Sequence, residues 1–317
     1  MSGPIDVQGH YMPAEHIAAL AVAVQGDPAL ERTAGIVAAA GRGKTPVVTL
    51  GEERVGLLDA AGIDVQVISV LPPGVVFGDP AGRAALAATA NDGLIAAASE
   101  FPERFRVLIT LPLPDVEASL AEIDRVRANP LVRGVCINAD STDWTLDEPR
   151  FDALYLGLAA RGLPCFLHPC VEELPNAYRA YGLGSSVGAM VSTTLTGLRL
   201  ILSGVLDRVP DLELVIPHLG GTIPYMTRRV MDLNGRGDAE LGLDEYLRTR
   251  CYTDSCSFYH PALQLAIETF GPDRIMLASD FPFRGTLDVC VKDIQTAEIP
   301  AETRDAILEG TARRWFA

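Results

Sequence analysis

Four polar residues end short apolar segments of the chain, and their side chains belong to the types that bind metal ions. His10, His168 and His218 each end such a segment, and Asp280 ends a fourth. Imidazole nitrogen and carboxylate oxygen together form a common ligand set for a divalent metal. Taken singly, each residue has a simpler explanation, because a buried histidine can be hydrogen-bonded in a core and an aspartate can cap a turn. The four residues in one repeated pattern predict a metal site.

Strand-like and helix-like segments alternate along the chain, and this alternation places the four residues on one face of a sheet. Eight segments rich in Val, Ile and Leu indicate strands buried on both sides, as in a parallel sheet. They cover residues 5–10, 65–71, 105–111, 132–138, 163–168, 212–218, 251–255 and 274–280. Helical patterns lie between them. The alternation favours a (β/α)8 TIM barrel, in which the active site lies at the carboxyl ends of the strands.

An open, doubly wound sheet is the alternative arrangement of such units. It usually carries a glycine-rich phosphate-binding turn after its first strand, and the residues that follow His10 do not form one. We therefore expect residues 1–317 to form one barrel domain. Two long connections predict insertions after the first and fifth strands, with a lid or insertion within residues 11–58.

Charge and composition limit the partners that the protein can bind. Of the 317 residues, 48% are hydrophobic and 21% are charged, which is typical of a globular protein with a large core. The formal net charge of -15 disfavours nucleic acid and anionic membranes, because the field of the protein repels phosphate groups. A small carboxylate substrate is still allowed, since a metal ion or an arginine can reverse the potential locally.

The cysteines and the first residues of the chain suggest where the protein works. Six cysteines are scattered without a CxxC pair, which favours reduced thiols over a disulfide framework. The first residues lack the basic and apolar regions of a secretory signal. We expect a cytoplasmic protein that does not span a membrane.

Several motifs resemble those of one family. The segment 5–13 is similar to a D-x-H-x-H-x-x-P pattern except at Gln8, and the segment 202–221, which ends in His-Leu-Gly-Gly, is the most specific match. The segments 271–282 and 309–316 are further matches. Together they resemble the amidohydrolase-superfamily branch that contains aminocarboxymuconate semialdehyde decarboxylase and related aromatic-acid decarboxylases. The resemblance covers nearly the whole chain.

The resemblance implies a role for each residue of the predicted site. His10, His168 and Asp280 match metal ligands, usually of Zn²⁺ and sometimes of Mn²⁺, with no organic cofactor. His218 matches the acid/base histidine, and Asp280 would keep its charge as a ligand or shuttle a proton. Arg229 matches an arginine that reaches the substrate carboxylate of a neighbouring subunit, which implies a homodimer. A solvated charge on a helix surface is the other interpretation of Arg229.

Gln8 is the clearest departure from the family pattern, because relatives carry His or Glu there. Glutamine has the length of glutamate without its charge, so its amide oxygen binds a metal weakly at best. Three interpretations follow. Three protein ligands hold the metal without Gln8; or Gln8 is a weak fourth ligand; or the metal is dispensable and the site has been repurposed.

The resemblance implies a metal-dependent, non-oxidative decarboxylase of an unsaturated or aromatic carboxylic acid. Arg54 is a weaker candidate for binding the substrate carboxylate, and Trp144 and the pair Phe281 and Phe283 are candidates for an apolar wall against the substrate. Two alternatives remain. One is metal-assisted hydrolysis of an ester, a lactone or a carbon–carbon bond, and the other is a metal-free protein that binds a small molecule.

Overall fold

A parallel barrel of eight strands forms the centre of the protein in a computed structural model. The structure describes residues 3–23, 35, 38–39, 46–71, 74–75, 78–139, 143–170 and 180–317. The strands are β1 (Ile5–His10), β2 (Val65–Ser69), β3 (Phe105–Ile109), β4 (Val132–Asn138), β5 (Cys165–His168), β6 (Leu214–Ile216), β7 (Cys251–Asp254) and β8 (Ile275–Met276). They pair in sequence order, all in parallel. The predicted (β/α)8 TIM barrel is confirmed.

The two ends of the sheet meet beside the predicted site. The backbone N–H of Val7 on β1 donates to the carbonyl of Leu277 after β8 at 2.9 Å. The N–H of His10 donates to the carbonyl of Phe281, also at 2.9 Å. These hydrogen bonds bring the carboxyl end of β1 directly against the segment that carries Asp280.

Helices surround the barrel. Their bounds are α1 (Ala14–Ala23), α2 (Gly51–Ala61), α3 (Pro80–Ser99), α4 (Val116–Val126), α5 (Asp152–Ala160), α6 (Ala189–Leu202), α7 (Val205–Arg208), α8 (Ile223–Asn234), α9 (Leu243–Thr249), α10 (His260–Phe270), α11 (Leu287–Thr296), α12 (Ala301–Asp305) and α13 (Thr311–Phe316). Asp79 and Asp115 cap the starts of α3 and α4, because each carboxylate accepts a hydrogen bond from a free backbone N–H of the first turn. Caps of this kind fix where the chain turns from a loop into a helix.

The core has two layers, as strands buried on both faces require. Inside the barrel, Val7, Val67 and Val215 belong to one apolar cluster. A larger cluster fills the space between the strands and the helices. The packing explains why the strand sequences are nearly continuously apolar rather than alternating.

The two predicted insertions are described in part. Of the predicted lid within 11–58, residues 24–34, 36–37 and 40–45 lie outside the described residues, and the described part contains α1 and the start of α2. Of the connection after β5, residues 171–179 lie outside the described residues. The lid itself therefore stays a prediction.

One helical segment among the described residues, 184–202, is long and apolar enough to cross a membrane by length and composition. Half of that window is buried within the fold. Leu200 and Ile201 are almost fully buried. This burial is typical of a core helix that packs on a barrel.

Candidate metal and proton-transfer site

His10, His168 and Asp280 converge at the carboxyl end of the barrel. The Nε2 atom of His10 lies 3.2 Å from Oδ1 of Asp280 and 3.3 Å from Nε2 of His168. One ligand atom from each of the three residues lies within 4.8 Å of the other two. Strands β1 and β5 and the segment after β8 therefore bring together three side chains that are far apart in sequence, as the sequence predicted.

The geometry and the hydrogen bonds of these three groups fit a divalent metal. Two ligands that lie about 2.1 Å from a tetrahedral ion are separated by about 3.4 Å, close to the distances between these groups. The Nδ1 atom of His168 lies 3.1 Å from the carbonyl oxygen of Pro169, which only accepts. Nδ1 therefore carries the proton of the neutral ring, and the lone pair of Nε2 faces His10.

The charge states of the same residues also suit a metal site. Burial, followed by the nearby imidazoles of His10 and His218, lowers the pKa of His168 to about 3, so its ring is neutral at physiological pH. Burial alone would raise the pKa of Asp280, but the hydrogen bond from His10 and the nearby imidazoles outweigh it and lower the pKa. A neutral imidazole and an ionised carboxylate are the forms that bind metals.

His218 lies beside this cluster in a strained backbone conformation. Its φ is 57° and its ψ is 52°, a left-handed conformation that ends β6 two residues before His218. Its backbone N–H donates to Oδ1 of Asp254 at 2.8 Å, and the same oxygen accepts from the N–H of Cys256. Strained residues held by such contacts concentrate at functional sites. Asp254 therefore holds the backbone of His218 so that its ring lies at the carboxyl end of the barrel, which is called the mouth below.

Gln8 contacts His218 through its side-chain amide. The Nε2 atom of Gln8 lies 3.4 Å from Nε2 of His218, and Oε1 of Gln8 is buried without a hydrogen-bond partner among the described residues. The Nδ1 atom of His218 is also buried and unpartnered. Buried polar atoms without a partner are rare, and each needs an explanation. Here both belong to the predicted site.

A second polar network lies directly beneath the mouth, and the sequence did not reveal it. Asp6 accepts hydrogen bonds from the side chain of Gln66 at 2.7 Å, from the backbone N–H of Ser279 at 2.9 Å and from that of Gln8 at 3.1 Å. Gly9 is required for this contact, because a Cβ atom there would lie 2.5 Å from the side chain of Gln66. The partners of Asp6 lie up to 273 residues away in sequence, so no local pattern could announce them.

Arg54 belongs to this buried network. Its guanidinium donates to Oε1 of Gln66 at 2.8 Å and to the carbonyls of Pro46 and His10. It also lies over the ring of Phe281, 4.3 Å from the ring centroid. With 1% of the residue exposed, Arg54 holds the strand ends from behind. This placement favours a positioning role over the predicted contact with a substrate carboxylate.

The remaining predicted substrate contacts lie outside the cluster. Phe281 is buried beside Arg54, and Trp144 is buried against Phe151 at 5.6 Å between ring centroids. Phe283 is nearer to the mouth, since its ring centroid is 5.9 Å from that of His10 and the residue is half exposed. Of these candidates, Phe283, the second residue of the predicted pair, lies beside the candidate metal site.

Arg229 lies on the exposed surface of α8. Tyr225 and Leu233 stand four residues before and after it, on the same face of the helix, and are 81% and 69% exposed. Exposed apolar side chains around a predicted partner-reaching arginine mark this face as a candidate contact between subunits.

Known proteins that are similar to this chain include decarboxylases. The chain is 28% identical over 289 residues to the gamma-resorcylate decarboxylase of a Rhizobium species, an alignment that covers 85% of this chain and 88% of that protein. The fold is similar to that of 5-carboxyvanillate decarboxylase from Sphingomonas paucimobilis, with a TM-score of 0.88, 27% identity and coverage of 100% and 99% of the two chains.

A second solved structure contains a metal. The 5-carboxyvanillate decarboxylase of Novosphingobium aromaticivorans, complexed with manganese and 4-hydroxy-3-methoxy-5-nitrobenzoic acid, matches with a TM-score of 0.89 and 26% identity over 99% of this chain and 95% of that chain. The family profile described as amidohydrolase matches residues 5–317. With nearly its whole length matched by this profile, the chain belongs to the amidohydrolase family.

Proposed function

We propose that this protein is a metal-dependent, non-oxidative decarboxylase of an aromatic or unsaturated carboxylic acid. The convergence of His10, His168 and Asp280 within metal-ligand distances, with His218 beside them, carries the proposal. Similarity to decarboxylases of gamma-resorcylate and 5-carboxyvanillate supports a hydroxylated benzoate as the substrate class.

The side chains at the mouth divide the work of the reaction. His10, His168 and Asp280 would hold a divalent cation, which supplies Lewis-acid charge that orients the oxygen atoms of the substrate. His218 delivers a proton to the ring carbon that bears the carboxylate, which interrupts the conjugation of the ring. The carbon–carbon bond to the carboxylate then breaks and CO₂ leaves. The electron pair of the broken bond stays on the ring and restores the conjugated system. Phe283 offers an apolar surface to the substrate ring.

The identity of the metal is part of the proposal. Two imidazoles and one carboxylate accept both Zn²⁺, which the sequence favoured, and Mn²⁺, which a related structure contains. Reconstitution of metal-stripped protein with each ion, followed by activity measurements, distinguishes the two. The ion that restores turnover at the lower free concentration is the functional one.

We further propose a cytoplasmic homodimer. The face of α8 around Tyr225, Arg229 and Leu233 would bury apolar surface against a second copy and place Arg229 near the partner's mouth. The six cysteines are free and buried, in keeping with a reducing compartment. Sedimentation of the wild type and of a Tyr225→Asp variant tests the dimer, and cell fractionation tests the location.

Analysis of the products tests the proposed reaction against the hydrolytic alternative. A decarboxylase converts the acid to CO₂ and the free arene, and it incorporates one solvent hydrogen at the former carboxyl position. Incubation in D₂O followed by mass spectrometry should therefore show one deuterium on the product. A product that has gained the elements of water would support a hydrolase instead.

Gln8 supports one second candidate, a metal-free protein that binds a small molecule. The amide of Gln8 lies against His218 instead of supplying a charged ligand. Metal analysis of the wild type and of Gln8→His separates the candidates. If the variant gains metal and activity, the wild-type site is a degraded one; if it loses activity, Gln8 has a function of its own.

A further inference from the structure

Cys256 lies at the same mouth, close to both Asp280 and His218. One ligand atom from each of His218, Cys256 and Asp280 lies within 4.8 Å of the other two. Cys256 follows β7 and is 3% exposed, and none of the described residues forms a hydrogen bond with its thiol. The mouth therefore contains a second group of potential ligands, which includes sulfur.

His218, one member of this second group, has a buried ring nitrogen that a bound ligand would satisfy. The Nδ1 atom of His218 is buried and has no hydrogen-bond partner in the described part of the chain, and the residue is 8% exposed. Asp254 fixes the backbone of both His218 and Cys256 through one carboxylate oxygen, so the two side chains are held in a constant relation. Packing alone does not require that a nitrogen, a sulfur and an oxygen ligand atom be held this close together.

We propose that His218, Cys256 and Asp280 form a second cation site, selective for thiophilic divalent ions such as Zn²⁺ and Cd²⁺. Thiolate ligands favour these ions over Mn²⁺, whereas the site of His10, His168 and Asp280 contains no sulfur. Asp280 has two carboxylate oxygens and can serve both sites. As the sulfur–metal bond forms, the thiol of Cys256 releases its proton to solvent.

Occupation of the second site has a consequence for the reaction. A metal ion on the ring of His218 would occupy the nitrogen lone pair that must take up a proton before His218 can deliver it. Zn²⁺ in excess should therefore inhibit the enzyme after Mn²⁺ has filled the first site. This consequence rests on the proposed function, but the binding itself does not.

Cadmium binding to the full-length, metal-stripped protein tests the proposal without an activity assay. The wild type should bind two Cd²⁺ per chain at equilibrium and show the ultraviolet charge-transfer band of a cadmium thiolate. Cys256→Ser should bind one Cd²⁺ and lack the band. Cys136→Ser is the matched control, because Cys136 is also buried inside the barrel but belongs to neither ligand group, and it should behave as the wild type does.

Each possible result has a defined meaning. One Cd²⁺ per wild-type chain with no band, or two with the band in Cys256→Ser, would overturn the second site. If Cys256→Ser does not fold, Cys256→Ala replaces it. The second site then requires that the wild type shows the band, that Cys136→Ser keeps it and that Cys256→Ala lacks it. Zn²⁺ should inhibit the Mn²⁺-loaded wild type at a concentration at least about tenfold lower than it inhibits Cys256→Ser. A Mn²⁺-loaded protein without decarboxylase activity would contradict the proposed function and leave the binding result intact.

Discussion

The mouth of the barrel and the network directly beneath it are built from similar residue types but differ in how fully their hydrogen bonds are satisfied. Asp6 accepts hydrogen bonds from three residues, and Arg54 and Gln66 complete a closed network around it. At the mouth, by contrast, Oε1 of Gln8 and Nδ1 of His218 have no partner among the described residues. Satisfied buried polar groups stabilise the fold, whereas unsatisfied ones at the strand ends are expected where a ligand binds.

The largest effect on activity should come from loss of a metal ligand at the mouth. His168→Ala should abolish decarboxylation and metal binding, because it removes one of three protein ligands. Thermal unfolding should show a midpoint close to that of the metal-free wild type, since the side chain of His168 contacts Pro169, His10 and His218 at the mouth and takes no part in the network beneath it. A large loss of stability in the metal-free protein would show that the mouth is part of the structural network after all.

Removal of the proposed proton donor should lower activity while the metal stays bound. His218→Ala should reduce kcat by about 10²- to 10⁴-fold, the usual contribution of a positioned acid or base. Elemental analysis should find as much metal at the first site as in the wild type. Full turnover by a metal-loaded His218→Ala protein would exclude His218 from the chemistry.

A substitution in the network beneath the mouth should lower the stability of the fold, whereas the substitutions at the mouth should lower activity. Asp6→Ala leaves several buried donors without an acceptor, so it should destabilise the fold by about 3 kcal/mol or more. Urea unfolding of the metal-free protein measures this loss. Leu108, which lies inside the barrel without polar contacts, provides a control through Leu108→Val. An Asp6→Ala protein of normal stability would contradict a structural role for the network.

His16 is a fully buried residue whose ring nitrogens lack hydrogen-bond partners among the described residues, but it lies on α1, away from the strand ends. Burial lowers its pKa from 6.5 to about 4. Between these values the unfolded chain takes up a proton that the folded protein does not, so stability falls as the pH falls from 6.5 toward 4.

The effect of His16 on stability should be about 3 kcal/mol at pH 4. His16→Leu should remove this part of the pH dependence, and it should stabilise the protein by about 1 kcal/mol at pH 7, where the buried ring costs hydrogen bonds. Urea unfolding at both pH values measures the difference between the two proteins. Parallel pH profiles would show that the His16 ring is not buried in its neutral form.

The smallest effect is expected at Gln8. Gln8→Glu places a charged oxygen where an unpartnered neutral one lies, so it should raise metal affinity by about tenfold without a large change in unfolding free energy. Calorimetric titration with Mn²⁺ measures the affinity. Unchanged affinity would place the Gln8 side chain outside the metal's reach and support its contact with His218.

The chemistry-bearing residues could be predicted because each one sits in a local pattern. His10, His168, His218 and Asp280 each follow an apolar strand, and the barrel then brings the strand ends together. The predicted strands 212–218 and 274–280 are longer than β6 and β8, and each prediction included a residue, His218 or Asp280, whose left-handed backbone cannot continue a strand. Backbone strain of this kind leaves no mark in hydrophobic periodicity.

The supporting residues could not be predicted, because their contacts are distant in sequence. Arg54 lies on α2, and nothing near it in sequence shows that it reaches Gln66 and the carbonyl of His10. Cys256 directly follows the predicted strand 251–255, and its approach to His218 depends on the register of β6 and β7. Such contacts are properties of the folded barrel rather than of any segment.

Metal-dependent decarboxylation is tested most directly by measuring the release of CO₂ from a carboxyl-labelled hydroxybenzoate such as gamma-resorcylate. The protein is assayed metal-stripped, after reconstitution with Mn²⁺, and as reconstituted His168→Ala. We expect labelled CO₂ in a one-to-one ratio with the arene product from the reconstituted wild type, and background release from the other two. Equal release with and without metal, or none from a panel of aromatic acids by a fully metal-loaded protein, would contradict this expectation.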